Sequence, residues 1–354
     1  MKSPIHETHV KRGAVMSAWD GWELPAHYGD PLAEYWAARS GVIRTDRSHR
    51  TQLRLVGEDR LKFLQNILSN EVASLPPGRG AYAALLTATG KMVADFRGAI
   101  LSESVLLDAE ARCRESAFSH LDMFNLGYDC EITDETEDFG MVTLAGPKSR
   151  EAVREALGQG PDLDKNYECV EFDWEGARTI MAATDRLGPP AIDLIVPAGN
   201  LPPLWDAFEA VPPSGFSALE ALRIEAGAPR FGADMDESVN PMEAGLLNAL
   251  DFDKGCYVGQ EVVAKIESLG HVNRSLVALH IEGDTPPETG AAIFEDGKKV
   301  GHVTSAARSP ALEEVVALGY VHRRASTPGQ ALETDCGETR VAAVVGERPP
   351  ASGN

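Results

Sequence analysis

Apolar and polar positions alternate from Thr51 to Val56 (T-Q-L-R-L-V), a period of two that predicts a β-strand. The spacing then changes. Gly57-Glu58-Asp59 opens R-L-K-F-L-Q-N-I-L, whose apolar positions recur at helical intervals. Strand-like A-Y-A-A-L-L-T, M-V-A-D-F-R-G-A-I-L and S-V-L-L-D-A follow, then a helical stretch near Ala111 to Asn125. The same order returns from Met141 to Ala145 (M-V-T-L-A), with G-P-K leading into the helical S-R-E-A-V-R-E-A-L. Strand-like E-C-V-E-F-D-W, A-R-T-I-M-A-A and A-I-D-L-I-V-P come next, and helical L-W-D-A-F-E-A closes the unit. The pattern therefore predicts two related α+β lobes, each burying a sheet against helices and against the other.

From about Ser217 the text changes. A-L-E-A-L-R-I-E-A-G predicts a helix ending at Gly227. A-P-R-F-G-A-D-M-D-E-S-V-N-P is rich in turn formers and reads as a long ordered loop. From Ser275 onward, short strand-like runs (S-L-V-A-L-H-I-E-G, A-A-I-F, K-V-G-H-V-T-S-A, E-V-V-A-L-G-Y-V) are punctuated by P-P-E-T-G, E-D-G and R-S-P. They predict a small all-β barrel or sandwich, followed by a frayed tail E-R-P-P-A-S-G-N.

A chain of 354 residues with 43% apolar and 25% charged residues has material for a large core in two or three domains. Charge narrows the function. Acidic residues outnumber basic ones 54 to 33, a net of −21. Such a surface repels phosphate backbones and anionic lipid, which argues against direct bulk nucleic-acid binding. The five cysteines are widely spaced with no C-x-x-C, against a disulfide framework or a cysteine-built zinc site, so a cytoplasmic setting fits and no metal is assigned. H-x-x-H at His6 and His9 is too loose for a metal site. No signal peptide or membrane span is apparent.

K-G-C-Y-V-G-Q-E, Lys254 to Glu261, carries the chemistry. Glycines flank Cys-Tyr-Val, let the chain turn sharply and leave thiol and phenol displayed. Lys254, Lys265 and Arg274 are nearby cations that would favour the thiolate of Cys256. Cys113, Cys130 and Cys169 sit in helix-like or strand-like patterns and read as core; Cys336 lies in a polar turn. His271 and His302 are candidate bases for Cys256, but spacing alone places neither beside it.

The octapeptide resembles the signature of the YgfZ family, folate-binding relatives of the glycine-cleavage T-protein, an aminomethyltransferase. A-L-R-I-E-A-G-A-P-R-F-G-A-D-M-D-E followed by N-P-M-E-A-G-L resembles that family's central stretch, and V-G-H-V-T-S-A-A-R-S-P-A-L its barrel. H-V-K-R-G-A-V-M and G-W-E-L-P-A-H-Y resemble the opening of the T-protein. The resemblance implies a three-lobed α+β arrangement: a folate-binding region over residues 1–270, made of two interleaved α+β lobes, and a C-terminal β-barrel over 271–350. It also implies tetrahydrofolate, or a one-carbon derivative, as cofactor. Asp95 then aligns with the aspartate near the folate reaction centre, where a carboxylate holds a folate nitrogen or shuttles its proton. Strands disfavour Asp, so its place in M-V-A-D-F asks for a reason. Glu225 aligns with a glutamate gripping the pterin ring. Arg223 or Arg230 would offset that charge or hold the folate glutamate tail. Arg274 flanks the mouth of the barrel, Arg50 lines the folate pocket, and Lys254 and Tyr257 accompany Cys256.

Two departures separate the chain from T-proteins. Their Y-T-G-E-like segment is replaced by T-D-R-L-G-P-P-A-I-D, and they lack the cysteine of the octapeptide. Both favour a YgfZ-like factor that uses tetrahydrofolate and the Cys256 thiol to support iron–sulfur cluster assembly or repair, and thereby tRNA modification, with iron–sulfur enzymes or assembly factors as partners. The alternatives are a tetrahydrofolate-dependent aminomethyltransferase or demethylase of the T-protein type, in which Asp95 is the key residue, and a non-catalytic interaction scaffold. The sequence leaves open whether the protein turns over a substrate; if it is an enzyme, it is a one-carbon transferase.

Overall fold

The computed structural model describes residues 1–158, 163 and 165–347, so residues 348–354 of the tail expected to fray, and the last residues of the expected barrel domain, lie outside the described residues. The chain opens with α1 (His6–Lys11), the ribbon β1 (Val15–Trp19) and β2 (Trp22–His27), α2 (Pro31–Ser40) and β3 (Ile43–Asp46). Helix α2 starts where Pro31 sits in its first turn and Asp30 accepts the Leu32 and Ala33 amides. The first repeat comprises β4 (Thr51–Val56), α3 (Arg60–Ile67), β5 (Gly80–Leu86), β6 (Met92–Ile100), β7 (Ser104–Ala109) and α4 (Arg114–Phe124), and β8 (Glu131–Asp134) leads from it into the second. The second comprises β9 (Phe139–Ala145), α5 (Ser149–Leu157), β10 (Cys169–Trp174), β11 (Ala177–Thr184), β12 (Ala191–Pro197) and α6 (Leu201–Ala207). Then come α7 (Phe216–Glu225), the long loop, and α8 (Gln260–Leu269). The last strands are β13 (Arg274–Ile281), β14 (Ala292–Glu295), β15 (Lys298–Ser309), β16 (Glu314–His322), β17 (Ala331–Cys336) and β18 (Thr339–Gly346).

The expected repeat is real, and its two halves are interlocked. The sheets run β5-β6-β7-β4-β8 and β10-β11-β12-β9-β3, so each repeat contributes four strands in the same order. The fifth strand of each sheet is the one that precedes the other repeat: β3 joins β9, and β8 joins β4. The two crossing segments, 47–50 and 135–138, are tied reciprocally. Arg47 N–H donates to the Met141 carbonyl and Glu135 N–H to that of Gln52, both at 2.9 Å. Met141 N–H donates to Ser48 Oγ, and Gln52 N–H to Thr136 Oγ1, both at 3.1 Å. Asp46 and Asp134 each accept the amide two residues on, an Asx turn built from T-D-R-S in one crossing and T-D-E-T in the other.

Each sheet has two buried faces, sorted by the period of two. Phe96, Val105 and Leu107 of the first, and Met181, Ile192 and Leu194 of the second, pack into separate apolar cores. The opposite faces meet in a seam. At one end it is apolar, with Ala99, Leu101, Leu106, Met141, Ile180 and Ile195 in one cluster. At the other end the same strand faces carry charge: Asp95 and Arg97 precede Ala99 on β6, Asp108 and Glu110 follow Leu106, and Asp193 precedes Ile195 on β12.

The C-terminal strands close into a barrel, β13-β16-β15-β14-β17-β18. Its β14–β15 hairpin turns at Asp296-Gly297, both at positive φ, which is what the E-D-G signal asks for. Helix α7 packs against α2, β2 and the barrel strands β15 and β16, joining the lobes to the barrel.

Candidate functional site

The polar end of the seam is a cross-lobe charge network. Arg50 is fully buried and forks onto Asp108 through Nε at 2.7 Å and Nη2 at 2.8 Å, while Nη1 reaches Glu110. Arg186 arrives from the second lobe, with Nη2 3.0 Å from Asp108 and bonded to Asp193, and Nε donating to Thr184 Oγ1 at 3.1 Å. Asp193 also accepts from Thr143 Oγ1 at 2.5 Å. Burial alone would raise the Asp108 carboxyl, but Arg186 and Arg50 outweigh it and hold it below the ordinary range. Glu110 is held well below its ordinary value because Arg50 and Arg47 overcome its burial.

Beside this network, Asp95 faces the seam with only 4% of its surface exposed. Tyr82 donates to its Oδ2 at 2.9 Å, and Oδ1 is buried without a hydrogen-bond partner among the described residues. Burial pushes the Asp95 carboxyl up, and Arg97 only partly opposes it. Arg97 lies 3.7 Å from Asp95 and 3.7 Å from Asp185 of the other lobe, and Asp185 accepts the Tyr167 hydroxyl at 2.8 Å. The rings of Tyr82 and Tyr167 are nearly parallel, 13° apart, with centroids separated by 6.4 Å. Arg97, Asp108, Tyr167, Cys169, Arg186 and Asp193 line a cavity of about 30 Å³. That is room for a water or two and far below the roughly 300 Å³ of a small-molecule pocket.

Of the residues singled out from sequence, Asp95 and Arg50 meet here, Arg50 as a structural fork on Asp108 rather than a free pocket wall. Cys256 is exposed, as its glycine-flanked position suggests. Its neighbours differ from expectation. Tyr257 is packed, not displayed: its ring lies in the first lobe's core, and burial pushes its hydroxyl up to about 12. The Lys254 ammonium is not offered to the thiol. It donates to the Leu68 carbonyl at 2.7 Å and the Asn70 carbonyl at 2.6 Å, lies 5.4 Å from the Tyr257 ring, and burial lowers it to about 8. The reason is the turn at Gly259, φ +86°, where a Cβ would come within 2.6 Å of the Thr87 carbonyl. It presses the loop onto the β5–β6 hairpin and drives the two long side chains inward. His271 is exposed and bonds its own helix end at Leu269, and His302 packs beside Tyr320 of the barrel, so no contact ties either to Cys256.

Three of the four remaining candidates, Glu225, Arg223 and Arg274, serve the lobe–barrel junction. Glu225 accepts from Tyr35 at 2.5 Å and Ser309 at 2.7 Å and pairs with Arg39, which joins α2 and α7 to the barrel. Arg223 is buried against Asp234 at 2.6 Å, Glu220 at 2.6 Å and Ser305 at 2.8 Å. Arg230 stacks 4.4 Å over Trp19 and pairs with Asp20 and Glu220. Arg274 pairs with Glu243 and lies 5.0 Å over Tyr320. None of these four has a hydrogen-bond or ion-pair partner in the seam among the described residues.

Sequence reasoning missed Tyr82, Arg97, Asp108, Tyr167, Asp185, Arg186 and Asp193. The argument that flags Asp95, an acid inside an apolar strand, applies equally to S-V-L-L-D-A and A-I-D-L-I-V. The segment T-D-R-L-G-P-P-A-I-D, read as the loss of a T-protein motif, supplies Asp185, Arg186 and Asp193 to the seam. Among the described residues, no cluster of three or more His, Cys, Asp or Glu has the arrangement of a metal site, and no helix is long and apolar enough to cross a membrane.

Two interlocked α+β lobes with a charged seam and a closed six-stranded barrel define a T-protein-like architecture. Residues 5–254 match the GCVT N-terminal domain and residues 274–351 the glycine cleavage T-protein C-terminal barrel domain, so the chain belongs to the glycine cleavage T-protein family. It is 28% identical to an aminomethyltransferase of Thermotoga maritima, over 98% of this chain and 97% of that one. It is 29% identical to an aminomethyltransferase of Halothermothrix orenii, over 94% of each. The crystal structure of the glycine cleavage system aminomethyltransferase T from Bartonella henselae shares the fold, with a TM-score of 0.92 at 24% identity, over 99% of this chain and 97% of that one.

Proposed function

We propose that this chain is a tetrahydrofolate-dependent one-carbon transfer protein of the T-protein type, with Asp95 as its working carboxylate. The observation that carries the reading is the buried Asp95 Oδ1, without a hydrogen-bond partner at the lobe seam, while Oδ2 is fixed by Tyr82. A buried acceptor left open costs about 1–3 kcal/mol, and such strain is retained where a ligand completes it. The donor set suits a reduced pterin: carboxylates for ring N–H groups, and the parallel Tyr82 and Tyr167 rings for a flat body. Tetrahydrofolate, when bound, supplies the nitrogen that accepts the one-carbon unit. Asp95, raised by burial, holds or takes the proton at that nitrogen, Tyr82 fixes its orientation, and the apolar end of the seam excludes water. Relatives named aminomethyltransferase over nearly their whole length support this reading above the iron–sulfur one.

The test is titration with tetrahydrofolate, followed by turnover with aminomethyl-lipoyl or methylated-amine donors. Saturable binding, with turnover abolished in Asp95→Asn, is expected; absence of binding would leave the scaffold reading.

One observation favours the narrower YgfZ-like reading, a tetrahydrofolate-binding factor for iron–sulfur enzymes: Cys256 is the exposed cysteine among the five, set on a loop braced by Lys254 and Gly259. Under that reading, Cys256→Ala fails to restore iron–sulfur enzyme activity in a deletion strain. Full restoration would remove it and leave the transferase.

A further inference from the structure

We propose that Arg97 and Asp185 form a cross-lobe positioning pair for the one-carbon reaction: Asp185, held by the second lobe, draws the Arg97 guanidinium away from Asp95 and so sets how strong a base Asp95 is. The inference rests on the tetrahydrofolate reading with Asp95 at the accepting nitrogen, and names the residues that regulate that carboxylate.

Each acid belongs to its own lobe. Asp95 on β6 is fixed by Tyr82 of the neighbouring β5, which donates to Oδ2 at 2.9 Å. Asp185, in the turn between β11 and β12, accepts the Tyr167 hydroxyl at 2.8 Å. Tyr167 is in turn tied to β11, its N–H donating to the Ala183 carbonyl at 3.1 Å. Arg97 stands between the two acids. Its Nη1 is 3.7 Å from Asp95 Oδ2 and its Nε is 3.7 Å from Asp185 Oδ1, so neither contact has closed to hydrogen-bond length. The Nε has no hydrogen-bond partner among the described residues. A movement of about 1 Å toward either acid would make a charge-assisted hydrogen bond there and abandon the other.

The other groups around this site are committed elsewhere. Arg50 and Glu110 act on Asp95, but Arg50 is forked onto Asp108 and reaches Glu110. Asp108 and Arg186, which face Arg97, pair with each other, and Arg186 pairs also with Asp193. Burial keeps the Tyr82 and Tyr167 hydroxyls and the Cys113 thiol neutral by raising each of them. Arg97 is therefore the cation at ion-pair distance from Asp95 among the described residues.

The signs follow from charge. Burial raises the Asp95 carboxyl and Arg97 opposes it. Loss of Arg97 removes the cation and leaves Asp185 unscreened, so Asp95 keeps its proton to higher pH. Loss of the Asp185 charge removes a like charge and frees Arg97 to close on Asp95, so Asp95 ionises at lower pH. Two substitutions in a single ion pair thus act in opposite directions. A pair that served only to tie the lobes together would not behave so.

The experiment follows Asp95 in the full chain by two readouts. The first is the acid limb of the kcat/KM profile with tetrahydrofolate and an aminomethyl-lipoyl donor. The second is a carboxyl-carbon NMR titration without folate, the Asp95 signal being identified by its loss in Asp95→Asn. Arg97→Gln is expected to move the limb and the NMR midpoint up by about one pH unit or more, and Arg97→Lys to restore most of that shift. Asp185→Asn is expected to move both down. Midpoints that stay, or that move the same way in Arg97→Gln and Asp185→Asn, overturn the proposal. So does Arg97→Lys moving as far as Arg97→Gln, because packing rather than charge would then be the cause. Should Arg97→Gln not fold, the downward shift in Asp185→Asn decides the matter. Opposite NMR shifts with no turnover by the unsubstituted protein would uphold the pair and overturn the one-carbon reading instead.

Discussion

Tyr82 donates its hydroxyl hydrogen to Asp95 Oδ2 at 2.9 Å across the β5–β6 pair, and this fixes a carboxyl whose other oxygen is buried and open. Burial raises the Asp95 pKa, Arg97 lowering it only in part. A raised native pKa means the folded state binds the proton more tightly. The associated stability is complete below the ordinary value near 3.9 and is lost as pH rises through the native pKa. Ionising Asp95 inside the fold is therefore a cost that function retains. Asp95→Asn should unfold at an equal or higher Tm at pH 7, by about 1 kcal/mol, while one-carbon turnover disappears. A Tm several degrees lower would show that Asp95 is a structural ion-pair partner instead.

Asp108 is the common acceptor of Arg50 and Arg186. Neutralising it strands two buried cations, and breaking a buried pair costs about 3–5 kcal/mol. Asp108→Asn should lose that much in urea unfolding. Asp193→Asn should lose less, because Asp108 still faces Arg186. Equal losses would mean the network is not centred on Asp108.

The reciprocal crossings predict a paired effect. Ser48→Ala and Thr136→Ala each strand one buried strand amide, Met141 or Gln52, at about 1–3 kcal/mol. Ser48→Ala should be the costlier, since its hydroxyl also donates to the buried Asp46 at 2.6 Å. Denaturant midpoints of the two variants and their double decide it; a Thr136 effect below about 0.5 kcal/mol would deny the pseudo-symmetry an energetic role.

Lys254 has its pKa lowered by burial to about 8 from an ordinary 10.5. Below pH 8 both folded and unfolded states carry the proton. Between about 8 and 10.5 the native state releases it first, so this residue makes stability rise with pH over that window. Lys254→Met should flatten the rise in pH-dependent melting curves. An unchanged profile would place the titration elsewhere.

Thiol labelling should separate the cysteines. Cys256 is exposed and Cys336 half-buried, whereas Cys113, Cys130 and Cys169 are buried, and burial pushes Cys169 up to about 11. A maleimide should mark Cys256 first and the three core thiols only on unfolding, with Cys256→Ala changing stability by less than about 0.5 kcal/mol. Labelling of the core thiols at the rate of Cys256 would contradict the packing.

Much of the architecture was legible because it rests on local rules. The two repeats follow from alternation, turn residues and helical spacing at Thr51–Val56 and Met141–Ala145, and the barrel from short strands with signals such as Asp296-Gly297. Residue pattern also marked Cys256 as surface and Cys113, Cys130 and Cys169 as core. Periodicity says which positions share a strand face, and Asp95 and Arg97, two apart on β6, share one, although the sequence reading picked out Asp95 alone. It does not say what that face meets.

That last decision belongs to the tertiary structure. Exchange of β3 and β8 between the repeats brings the polar ends of β6, β7 and β12 together, and only then do Asp95 and Asp185, ninety positions apart, hold one arginine between them. The same long-range packing turns Tyr257 and Lys254 inward and ties Glu225 to Tyr35 and Ser309 rather than to the seam. Strand and helix periods are set by the chain near each residue; strand partners, burial and the partner of a charge are set by which surfaces the whole fold removes from water.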